Sequence, residues 1–226
     1  EESISNFVSF YKLDFGGGVE FYDKAYFEWQ KDIGKENLKA RSFFCDYINK
    51  DMNVIEFGSG GGFLLKQIEA NNKVGIEINP YAREFAEKIG IYSVQDADEI
   101  EDGWGDIVIS SHALEHCENP LGILRKLYKK MKRNGKIIFV VPSEPDDWEY
   151  IKSDVNNHLF SWNCLTLGNL FKAAGFYVLS VERRMTFWPS GYEMIRNEVS
   201  PELFKEISRL EGYCAHRGNL IICAEK

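Results

Sequence analysis

The sequence predicts an α/β fold, a doubly wound and mostly parallel sheet with one antiparallel strand in its edge region and a helical N-terminal cap. Three observations predict it. Short β-branched runs alternate with helical patterns between Asn53 and Val141, the order that builds a parallel sheet. A glycine-rich stretch, Gly58-Ser59-Gly60-Gly61-Gly62, joins the first of those runs to a helix. The last two strand-like runs, Tyr177 to Glu182 and Asn219 to Ala224, lack an amphipathic crossover as clear as the earlier ones, so they are expected to pair antiparallel at one edge.

Taken in order, Tyr22, Ala25, Tyr26, Trp29 and Ile33 share one helical face, and Leu38 to Ile48 reads as a second helix, giving a cap over residues 1–52. Strands follow at Asn53 to Phe57, Lys73 to Ile78, Tyr92 to Gln95, Asp106 to Ser110 and Lys136 to Val141. Between them, Tyr81, Ala82, Phe85, Ala86 and Ile89 recur at helical spacing. So do Leu121, Leu124, Leu127, Tyr128 and Met131, before the stop signal Asn134-Gly135. No repeat interrupts the chain, so residues 1–226 are expected to form one domain, with a ligand-binding core at 53–142. Two connections, 143–164 and 184–218, are longer than such a fold needs and are expected to emerge over the carboxyl edge of the sheet.

Composition narrows the function. Twenty-seven basic residues against 35 acidic ones leave a net charge of −8, which lacks the electrostatic footprint of a nucleic-acid or anionic-membrane binder. The longest apolar run, Ile137 to Val141, is too short to cross a bilayer, and the acidic start does not read as a signal peptide. The five cysteines are odd in number and scattered without a C-x-x-C pair, as expected of a protein in a reducing cytoplasm without a cysteine zinc site.

The glycine turn holds the strongest signal. Glycines let backbone N–H groups approach a ligand at a helix N-terminus, and Glu77, 19 residues after Gly58, stands where a carboxylate meets ribose hydroxyls. The dinucleotide fingerprint G-x-G-x-x-G would need glycine at position 63, which is Phe63, and Glu56 would face the pyrophosphate with a like charge. An α-ammonium suits Glu56 better.

Glu56-Phe57-Gly58-Ser59-Gly60-Gly61-Gly62 resembles the E/D-x-G-x-G-x-G motif of the class I S-adenosylmethionine-dependent methyltransferases. Glu77, Asp96-Ala97, Ser110-Ser111-His112 and Gly135 to Pro142 follow in that family's order. The resemblance covers Asn53 to Phe176 and implies a Rossmann-like sheet of seven strands, in agreement with seven strand-like runs. It implies that Glu56, Gly58, Ser59, Gly60 and Gly62 hold the methionine portion, Glu77 and Ile78 the ribose, and Asp96 and Ala97 the adenine edge. Ser110, Ser111 and, in a second tier, His116 would also flank the cofactor, S-adenosylmethionine. Leu114-Glu115-His116, Asn119-Pro120 and Asn157 to Trp162 look like the small-molecule branch related to ubiquinone-pathway and sugar methyltransferases, which implies a small acceptor of saccharide or sugar-nucleotide type. A nicotinamide-dependent oxidoreductase and a non-catalytic S-adenosylmethionine-binding module are the alternatives.

Methyl transfer to a hydroxyl benefits from a base, and imidazole titrates near neutrality. His158 is the first candidate and His112 the second, although His158 equally suits a loop tether. His112-Ala113-Leu114-Glu115-His116 also matches H-x-x-E-H, a zinc-protease pattern that would set two imidazoles on one helical face; that reading needs a third ligand downstream on another helix and leaves the glycine turn and the acidic strand ends unexplained. Glu144, Asp146 and Asp147 could bind a divalent metal, as carboxylate-rich loops in some catechol-type methyltransferases do, but acidic loop clusters are usually solvated, so no metal is expected. Trp148, Tyr150, Phe160, Trp162, Phe187, Trp188 and Tyr192, with Arg183, Arg184 and Arg196, suit stacking on a sugar and pairing with phosphate.

Overall fold

In the computed structural model, seven strands join in one sheet of order β3-β2-β1-β4-β5-β7-β6. Described are Lys24, Phe27, Glu28 and residues 41–145, 149–150, 152 and 156–226. The strands are β1 (Asn53–Phe57), β2 (Asn72–Ile76), β3 (Ser93–Val94), β4 (Gly105–Ser111), β5 (Met131–Ser143), β6 (Tyr177–Met185) and β7 (Gly218–Glu225). Strands β1 to β5 pair in parallel, and β7 runs antiparallel to both β5 and β6. The expected sheet is therefore present, with its antiparallel strand one place in from the edge.

Burial on both faces explains the apolar runs. Along β1, Val54 packs into one core and Ile55 into the other; Ile107 and Val108 of β4, and Ile138 and Phe139 of β5, divide in the same way. Side chains alternate across a strand, so a sheet covered on both sides needs apolar residues at every position. Helices α4 (Pro120–Lys130) and α5 (Cys164–Ala174) bring Leu124, Leu127, Leu167 and Phe171 to one face. Helices α2 (Phe63–Gln67) and α3 (Pro80–Lys88), with the short α1 (Arg41–Phe44), bring Leu65, Ala86 and Phe44 to the other.

Local chemistry sets where the helices begin. Asn79 accepts from Tyr81 N at 3.0 Å and Asn119 from Gly122 N at 2.9 Å, each followed by proline at the first helical position, where a missing N–H costs nothing. Helix α4 stops one residue earlier than the apolar spacing suggests. Met131 is the first residue of β5, and the stop signal lies inside that strand's irregular start, with Asn134 at φ +61°. Two further helices, α6 (Tyr192–Glu198) and α7 (Pro201–Cys214), lie between β6 and β7. Helix α7 is amphipathic over 14 residues and buries Phe204, so the last connection does contain the helix its sequence did not make evident.

The five residues of the predicted N-terminal helical face, Tyr22, Ala25, Tyr26, Trp29 and Ile33, lie outside the described residues, as do Asp146, Asp147 and Trp148. Of the second cap helix, Arg41–Phe44 is α-helical and Cys45–Tyr47 continues as a 3-10 turn.

Candidate active site

The carboxyl edge of the sheet carries two groups of polar residues. At β1, the chain turns through Gly58 to Gly62 into α2, and Gly58 N and Ser59 N donate to Ile76 O at 2.9 and 3.1 Å. Gly58 has φ +70°, and a Cβ there would stand 2.3 Å from Ala113 Cβ; glycine is required both for the turn and for its contact with the loop after β4. Glu77, buried just after β2, accepts from Gly60 N and Asn79 N, each at 2.8 Å. Burial raises its pKa, and those backbone donors pull it back. The carboxylate therefore fixes the glycine turn itself, and any ribose hydroxyls must share its remaining lone pairs.

Glu56 is only 4% exposed, and its Oε2 has no hydrogen-bond partner among the described residues. Burial, then the neighbouring charge of Glu77, push its pKa well above the carboxylate range, against a hydrogen bond with the Leu65 backbone. Ser59 Oγ is buried without a partner too. A buried carboxyl left incomplete beside backbone donors fits a ligand bearing an ammonium group and other polar atoms. The residues present thus fit S-adenosylmethionine, whose methionine portion would lie along this turn. Ile78, two residues beyond β2, is exposed.

Other predicted donor-site residues are committed elsewhere. Ser110 Oγ donates to Phe57 O at 2.8 Å, tying β4 to β1. Asp96 caps the 3-10 turn Ala97–Glu99, accepting from Asp98 N at 2.8 Å, and pairs with Lys126 at 3.0 Å. The Asp98 N–H and then Lys126 hold its carboxyl low, against partial burial. Ala97 is buried, and Ser111 closes β4 at intermediate exposure.

The second group lies beyond β4. His112 has φ +54°, a strained conformation for a non-glycine residue, and its Nε2 lies 2.9 Å from Asn219 Oδ1 on β7. Its ring is 43% exposed, yet the protein packed against its inner side lowers its pKa, with Asn219 opposing. Glu115 is fully buried, and neither carboxyl oxygen finds a hydrogen-bond partner among the described residues. His112 Nδ1 at 3.6 Å and His116 Nε2 at 3.8 Å are near but too far to bond. Burial pushes Glu115 up to about 7. His158 Nδ1 lies 2.6 Å from Glu144 Oε1, and its ring meets that of His116 edge-on at 4.8 Å.

The H-x-x-E-H pattern does not form the helix that a zinc protease requires. Only Leu114–His116 make a 3-10 turn, and His112 leaves the strand in the left-handed region. The aromatic expectation is also revised. Phe160 and Trp162 stack at 5.4 Å and pack on the core, Trp188 lies against Tyr192, and Arg217 covers Phe187. Arg184 pairs with Glu182, and Arg196 lies over Tyr192. Tyr150 is 91% exposed. The two long connections do leave the expected edge, because Ser143 and Met185 both pair with Gly218.

Sequence reasoning missed the parts played by Asn219 and by Arg83, whose guanidinium donates to Glu77 O and Ile78 O at 2.6 and 2.8 Å. It read Glu144 as a solvated loop acid, although that side chain is mostly buried against His158. A carboxylate 14 residues before a histidine, across a loop, gives no local signal.

A Rossmann-like sheet with a glycine turn after β1, an acid after β2 and an antiparallel penultimate strand defines a methyltransferase fold. A methyltransferase-domain profile matches residues 29–181, and the chain belongs to that family, as a class I enzyme whose cofactor is S-adenosylmethionine. No curated protein matches it. Solved structures with similar folds include a SAM-dependent methyltransferase from Archaeoglobus fulgidus, 23% identical, TM-score 0.63, covering 89% of this chain and 99% of that one. The [4+2]-cyclase SpnF is 16% identical, TM-score 0.61, with 88% and 83% covered. A Haemonchus contortus phosphoethanolamine N-methyltransferase, in complex with phosphomonomethylethanolamine and S-adenosylhomocysteine, is 16% identical, TM-score 0.60, with 83% and 52% covered.

Proposed function

We propose that this methyltransferase acts in the cytoplasm on a hydroxyl of a small acceptor, of saccharide or sugar-nucleotide type, with His158 taking the proton. The observation that carries the reading is the 2.6 Å contact between His158 Nδ1 and Glu144. When Glu144 accepts from Nδ1–H, the ring's basic nitrogen is Nε2, where a base needs it. An amine acceptor that arrives already neutral needs no such base. His112, held by Asn219, is the second candidate.

S-adenosylmethionine supplies the electrophilic methyl group. In this reading the chain's own residues position it: Glu56 and the Gly58 to Gly62 turn hold the methionine end, with Ser59 and Ser111 beside it, Glu77 and Ile78 the ribose, and Asp96 and Ala97 the adenine edge. Ser110 and His116 support that shell from behind. Residues 143–164 and 184–218, at the same edge, form the acceptor side.

Two measurements test this reading. S-adenosylhomocysteine at a hundred times its Kd should stabilise the protein by about 2.7 kcal/mol, visible as a rise in Tm, whereas NADH should give none. A methyl-transfer screen of sugars, sugar nucleotides and phosphorylated amines then assigns the acceptor. Methylation confined to amines, or turnover unchanged in His158→Gln, overturns the hydroxyl reading.

A further inference from the structure

We infer that Glu115, His116 and His158 form a site for one divalent transition-metal ion, zinc or a similar borderline cation, with Glu144 as its outer support. One ligand atom from each of the three lies within 4.8 Å of the others. Donors around a tetrahedral ion at ~2.0–2.1 Å stand roughly 3.3 Å apart, so binding requires these side chains to draw in by about an ångström or more. The rotations involved are local. His116 follows Glu115 directly, and the segment carrying His158 is already latched to the same turn, since Leu159 N and Phe160 N donate to Glu115 O at 2.9 and 3.2 Å.

Two observations beyond proximity point to a cation. Glu115 is fully buried and neither oxygen has a hydrogen-bond partner among the described residues, a costly arrangement that a bound ion would satisfy. Glu144 on His158 Nδ1 reproduces the carboxylate–histidine pair that orients ligating imidazoles and makes them more basic. Two imidazoles and one carboxylate suit zinc or iron rather than magnesium or calcium. Three protein ligands leave one tetrahedral position for water or an acceptor oxygen, as in open rather than closed zinc sites. His158 thus has two uses, proton acceptor in the metal-free protein and ligand in the loaded one.

The test is stoichiometry. Protein stripped with chelator and dialysed against Zn²⁺ should retain about one ion per chain, as three-ligand sites do, and Co²⁺ substitution should give the visible absorption of a tetrahedral N/O site. Glu115→Gln and His158→Gln should each lose the ion, Glu144→Gln should weaken binding by roughly 10- to 100-fold, and His216→Gln should leave it intact. The S-adenosylhomocysteine thermal shift, read on every variant, reports folding independently of the metal. If a variant shows no such shift, the Co²⁺ spectrum of the wild type decides. Absence of retained metal and of a cobalt spectrum in the wild type overturns the site, as does metal that survives the Glu115→Gln/His158→Gln double variant. Failure of the hydroxyl reading would appear separately, in the acceptor screen.

Discussion

The β1–β3 half of the carboxyl edge is built from backbone; the β4–β5–β7 half is built from side chains brought together from distant segments. In the first, Gly58, Ser59 and Gly60 are held by Ile76 O and Glu77, all within one strand–turn–helix–strand unit. In the second, His112, Glu115 and His116 meet Glu144 and His158 from a long connection and Asn219 from the last strand. Backbone donors suit a ligand portion that every family member shares, because their geometry survives changes of side chain. Side-chain clusters suit the part that varies between substrates. The halves meet along the β1–β4 pairing, where Ser110 Oγ donates to Phe57 O and, just beyond, Gly58 abuts Ala113.

The sharpest way to break this division is His158→Gln. Turnover of the acceptor found by screening should fall about 10²- to 10⁴-fold, the usual contribution of a general base, while S-adenosylhomocysteine affinity by calorimetry stays within twofold. A parallel loss of both would merge the halves. Next in size is Glu77→Ala, which strands the Gly60 and Asn79 N–H groups. With hydrogen bonds to charged groups contributing ~1.5–3 kcal/mol, donor affinity should weaken by more than tenfold. Unchanged affinity would remove Glu77 from the donor site.

Glu56→Gln sharpens the comparison through pH. The folded-state pKa of Glu56 is raised, so its stability contribution is complete below the unfolded value of about 4.3 and is lost as pH rises through the folded value. The ligand-free variant should match the wild type in Tm near pH 4 and exceed it increasingly toward neutrality, yet bind S-adenosylhomocysteine more weakly. A Tm gap that ignores pH would contradict the assignment. The smallest effect is expected at the rim. Lys126→Met removes exposed pairs with Asp96 and Asp98 and should change stability by less than ~1 kcal/mol.

The sequence by itself determined the sheet, the glycine turn and the acids around it. Those features are local: alternating apolar runs, a turn that only glycine permits, and carboxylates at strand ends. Met131 begins β5 instead of ending a helix, because a strand's irregular start resembles a helix end, and α7 lies in the long connection between two strands expected to pair antiparallel, which calls for no crossover helix. The tertiary structure alone decided the other half. It turned Phe160 and Trp162 into the core, committed Ser110 to Phe57 O and Asp96 to a cap and Lys126, and placed Glu144 on His158 and Asn219 on His112. The physical reason is range. Backbone geometry is specified by neighbours a few residues away, whereas the meeting of β4's loop with residues 144 and 158 depends on how strands order in the sheet, which no spacing along the chain encodes.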